Sequence, residues 1–152
     1  MDYFELGYEY SIDVPEVDNQ HRELAKRLNE AIKSCTGRKA DEEKFYKANT
    51  RRSIELLKEH FDTEEKILKK TKYENFKNHK LAHKKMLNEI KKMNSDIEKK
   101  KVELNLFYVS AFIKEKFLKH IKTFDLPAKS FFVEGKGEHQ KRSTDLKTQD
   151  SV

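Results

Sequence analysis

The sequence has no tryptophan, a single cysteine, two prolines and four glycines, and each scarcity excludes something. With Cys35 alone, no internal disulfide can form and a thiolate metal centre is not expected. So few glycines and prolines leave little turn punctuation, and no alternating β-branched run is present, so an all-α chain is expected rather than a sheet. No apolar stretch approaches the roughly 20 residues that span a bilayer. The first ten residues, MDYFELGYEY, lack the basic start and apolar run of a signal peptide. These absences point to a cytoplasmic protein with no membrane partner.

Charge is abundant: 33 basic and 27 acidic residues give a formal net charge of +6. The two signs are interleaved along the whole length, which describes the solvated surface of helices better than a nucleic-acid footprint, so no nucleic acid is expected as partner. A length of 152 residues suits one domain with one core. A monomer is expected, with a partner protein left open.

Apolar spacing divides the chain into an extended N-terminal arm up to Asp18 and four amphipathic helices. The arm carries Tyr3, Phe4, Tyr8 and Tyr10, aromatics that need something to cover. The first helix is expected over about residues 18–34, with Val17, His21, Leu24, Leu28 and Ile32 on one stripe. Asp41 is the expected N-cap of the second, which runs to about residue 70. Phe76, His79, His83, Met86, Ile90, Met93 and Ile97 mark the third. The fourth is expected over about residues 103–124, limited by Pro127. Short connections between four such stripes favour an antiparallel up-down four-helix bundle over residues 1–133. Residues 134–152, which include His139, read as a flexible polar tail.

Five of the six histidines and two carboxylates fall on or beside these apolar stripes: His21, His60-x-x-x-Glu64, His79-x-x-x-His83 and His120-x-x-x-x-Asp125. Residues four apart on a helix lie about 40° apart in projection, so each i, i+4 pair can close on one ion. One such pair arises easily by chance, and a lone inward histidine is commonly a hydrogen-bonded core residue. Burying all seven groups without a metal would cost on the order of several kcal/mol. Five residues along an intact helix would turn Asp125 about 140° away from His120. The fourth helix must therefore end or distort between them, and Pro127 makes an ending the expectation, with Asp125 in or just beyond the last turn.

Mixed imidazole and carboxylate donors suit iron better than calcium or magnesium, which favour all-oxygen shells, and better than four-ligand structural zinc. His79-Lys80-Leu81-Ala82-His83 lacks the glutamate that a zinc protease needs after its first histidine. The Glu-x-x-His pairs of ferritin-like di-iron proteins are absent as well.

With these residues in place, the chain resembles the hemerythrin family in its bacterial single-domain form. The segment Val14-Pro15-Glu16-Val17-Asp18-Asn19-Gln20-His21 is similar to that family's opening signature, and the remaining ligand positions follow in order to Asp125. The resemblance implies two non-heme iron ions, one held by His79, His83 and His120 and the other by His21 and His60. Glu64, Asp125 and an oxo or hydroxo group would bridge them, and O2 would dock at the second iron and be released again. It implies oxygen binding for transport, storage or scavenging, and no enzyme activity. Phe61, Leu57, Phe117 and Phe124 are candidates for an apolar pocket lining, as they are for ordinary core packing. The chain departs from the family where tryptophans are common, near the start and four residues before His120, where Lys116 stands. That lysine either snorkels outward or opens the pocket to solvent. Two other readings are a sensing or interaction module that responds to oxygen or redox state, and a di-iron peroxidase-like enzyme.

Overall fold

The structure, a computed structural model, describes residue 3 and residues 5–135. Phe4, His139 and the rest of the tail beyond residue 135 lie outside the described residues. Four α-helices follow one another: α1 (Pro15–Lys33), α2 (Lys39–Lys70), α3 (Phe76–Glu98) and α4 (Leu106–His120). No strand is present among the described residues. Helix α1 packs on α2 and α4, and α3 packs on α2 and α4, so the four close into a ring around a common core.

Helix α1 starts three residues earlier than its apolar stripe announced. Pro15 occupies its first turn, where a missing N–H costs nothing, and Val14 precedes it in extended conformation. Asp18, in the first turn, holds the arm: its carboxylate accepts from Ser11 Oγ at 2.7 Å and from the Ile12 N–H at 3.0 Å. The arm's buried residues are Ile12 and Val14, while Tyr3 and Tyr8 face solvent.

Helix α2 begins at Lys39, with Arg38 and not Asp41 at the N-cap; Asp41 and Glu42 fall in its first turn, where the helix dipole favours acids. At the start of α4 the Asn105 side chain accepts from the Tyr108 N–H at 3.0 Å. Helices α2 and α3 both close with left-handed lysines, Lys72 and Lys100, each with φ 56°. The Tyr73 N–H reaches back to Leu68 O and the Lys101 N–H to Asp96 O, which completes a Schellman ending in each case.

Beyond α4 the chain does not stop at Pro127. A π turn covers Ile121–Asp125, a 3-10 turn covers Leu126–Ala128, and residues 129–135 are helical again. Pro127 lies in the first turn of that new segment, where its lack of a donor is tolerated.

The core is layered along the bundle. Ile12, Val14, Val17, Leu68, Ala128 and Phe132 form one apolar cluster. Ala25, Leu57, Phe61, Met86, Ile90, Phe117 and Ile121 form a second. The spacing of Val17, His21 and Ala25 along α1, one turn between each, places a polar layer between these two clusters. A third cluster of Tyr46, Leu106 and Val109 fills the far end.

Candidate metal centre

The polar layer consists of the seven side chains that the sequence singled out. Helix α1 brings His21, α2 brings His60 and Glu64, α3 brings His79 and His83, α4 ends on His120, and the π turn carries Asp125; all seven are buried. An i to i+5 turn brings a residue five positions on back toward the same side, which answers the geometric problem posed by His120 and Asp125.

All five imidazoles present Nε2 to the two carboxylates. His60 Nε2 lies 2.7 Å from Glu64 Oε1, and His83 Nε2 and His79 Nε2 lie 3.0 and 3.2 Å from Glu64 Oε2. His79 and His120 each reach Asp125 Oδ1 at 3.1 Å, and His21 lies 3.3 Å from both Glu64 Oε1 and Asp125 Oδ2. The donor atoms fall into two groups, each within 4.8 Å: Glu64, His79, His83, His120 and Asp125 in one, His21, His60, Glu64 and Asp125 in the other. Both carboxylates belong to both groups.

Hydrogen bonding accounts for only part of this proximity: His21, His79 and His83 pair with Glu64 through Nε2. His60 Nε2, His120 Nε2 and both oxygens of Asp125 are buried without a hydrogen-bond partner among the described residues, despite neighbours near 3 Å. Orphaned buried groups of this kind are costly, and a cation among them would satisfy them together. The donor set therefore fits a metal ion.

Electrostatics within the layer show the same charge demand. Burial alone would lower the imidazoles, and it does lower His60. At His21 and His79 burial is outweighed by the pull of the adjacent Asp125 and Glu64 carboxylates, which holds each up at about 9. Burial would raise the carboxylates, yet the surrounding imidazoles keep Glu64 and Asp125 well below the ordinary range. Two buried anions thus recruit positive charge from whatever lies around them.

Around this layer, Gln20 Oε1 accepts from His60 Nδ1 at 2.8 Å while its amide donates to Thr63 Oγ1 at 3.0 Å. Glu65 Oε2 lies 3.2 Å from His83 Nδ1. Such contacts fix the tautomer that leaves Nε2 free to ligate. Neither residue was assigned a role from sequence: Gln20 adjoins His21, which was a signal, whereas Glu65 reads as one more surface acid. Phe61 stacks on His83 at 4.0 Å between centroids, Phe124 stacks on His120 at 5.2 Å, and Phe117 meets His21 edge-on at 5.7 Å. Leu57 is buried in the layer beneath. Lys116 takes the outward course, with its ammonium 3.1 Å from Glu89 on the bundle surface.

Compared with protein-family models, with curated proteins and with solved structures, the chain matches none. No helix among the described residues is long and apolar enough to cross a membrane.

Proposed function

We propose that this chain is a non-heme di-iron protein of the hemerythrin type, an antiparallel up-down bundle that binds O2 reversibly for storage, transport or scavenging. The observation that carries the reading is the pair of donor groups that share Glu64 and Asp125. Shared carboxylates suit two adjacent ions, since each anion offsets charge on both. Mixed imidazole and carboxylate donors favour iron among the first-row metals in this reading. Two ferrous ions held here would supply two electrons to O2 on binding and recover them on its release.

The chain's own residues divide the work. His79, His83 and His120 would saturate one ion, whereas His21 and His60 provide fewer donors and leave a position for O2. Gln20 and Glu65 orient His60 and His83. Phe61, Phe117 and Phe124 pack against the imidazoles and keep the surroundings apolar, which favours entry of a neutral diatomic over water or anions. In this reading the chain is a binding protein and not an enzyme.

Visible absorption of iron-loaded, reduced protein tests this: before O2, after O2, and after O2 is removed. A charge-transfer band that comes and goes with O2 is expected. A band that persists after removal of O2 would replace reversible binding with irreversible oxidation.

A further inference from the structure

Below the imidazole layer the bundle is not filled. A cavity of about 120 Å³ lies between the helices. Its wall nearest the candidate centre is a ring of Leu24, Leu57, Met86 and Phe117. Each stands three positions from a histidine of the layer, namely His21, His60, His83 and His120, and so lies about one turn beneath it. Deeper in, Ile90, Met93 and Ile113 continue the apolar wall.

One edge of this space is polar. Arg27 on α1 and Ser53 on α2 line it, and Arg27 Nη1 donates to Ser53 Oγ at 3.3 Å. Arg27 Nε is buried and has no hydrogen-bond partner among the described residues. The nearest acid, Glu23, stands 3.8 Å from it with its own side chain half in water, and Glu30 at the rim is exposed. A guanidinium that lines an apolar cavity, with its side chain three-quarters buried and its Nε without a hydrogen bond, can receive a carboxylate carrying a short apolar tail.

We infer that this cavity binds a small monocarboxylate of about six carbons, with its carboxylate on the Arg27 fork and its tail against the ring of Leu24, Leu57, Met86 and Phe117. The size limit follows from the volume: an apolar cavity of about 150 Å³ holds benzene. A long acyl chain does not fit, and a ligand without an anionic head forgoes the Arg27 contact. The site requires no metal and stands apart from the di-iron reading.

The test is direct because Met86 and Met93 both line the cavity. The full chain labelled with 13C at the methionine methyls is titrated with sodium hexanoate and, separately, with hexanol. Saturable shifts of Met86 and Met93 are expected, with hexanoate bound about tenfold more tightly than hexanol, as a charge-assisted fork allows. Arg27→Met should remove that preference and leave hexanol binding unchanged, which also shows that the cavity survives the substitution. No saturable shift of Met86 and Met93, equal binding of the two ligands, or an Arg27→Met variant that keeps the preference would each overturn the proposal.

Discussion

His120 and Asp125 stand five residues apart yet meet, with His120 Nε2 3.1 Å from Asp125 Oδ1. The π turn between them makes this possible. It is a local irregularity at the one place where the candidate centre needs it, as π bulges at functional sites are.

Inserting an alanine after Thr123 adds a residue that the turn does not accommodate and rotates the carboxylate by about 100° relative to His120. Iron bound per chain should fall to one or less while helical circular dichroism is retained. Retention of two irons would show that the spacing from His120 to Asp125 is immaterial to the site.

Gln20→Ala leaves His60 Nδ1 without its acceptor at 2.8 Å. Loss of such an orienting partner costs about 10- to 100-fold in metal affinity. Competition with a chelator measures it, and Gln20→Glu, which keeps an acceptor, should recover most of the loss.

Lys100 holds φ 56° at the end of α3, on the surface. A left-handed non-glycine residue costs about 1 kcal/mol or more, so Lys100→Gly should raise unfolding stability by about 1 kcal/mol. Urea denaturation checks this, with unchanged stability as the contrary result.

Burial raises the Tyr46 phenol from 10.0 to about 12, and its hydroxyl lies 2.8 Å from Asn94 Oδ1. The unfolded chain ionises first, so this contribution is intact below pH 10 and is lost as pH climbs toward 12. Over that window wild type should lose stability faster than Tyr46→Phe by about 1.4 kcal/mol per pH unit. Parallel curves for the two proteins would contradict the shift.

The four helices and the seven converging side chains were legible because periodicity of three and four is imposed by the helix itself. His79, His83, Met86 and Ile90 follow one stripe and are all buried. The need for a distortion between His120 and Asp125 was legible from angles alone, but its form was not. Pro127 reads as a stop, whereas a proline in the first turn of a fresh helical segment is no obstacle. The same ambiguity hid the start of α1, where Pro15 opens the helix it seemed to precede. Lys72 and Lys100 carried no signal, since left-handed helix ends are ordinarily announced by glycine. Of the arm's aromatics Tyr10 packs against the core as expected while Tyr3 and Tyr8 face solvent, and Ile12 and Val14 are the residues set deepest, beside the Asp18 tether.

The most direct test of the central claim is iron per chain after anaerobic reconstitution, in wild type and in Glu64→Ala. Glu64 belongs to both donor groups, so the account predicts two irons in the first protein and fewer than one in the second. Wild type without iron, or a Glu64→Ala variant that keeps two, would contradict it.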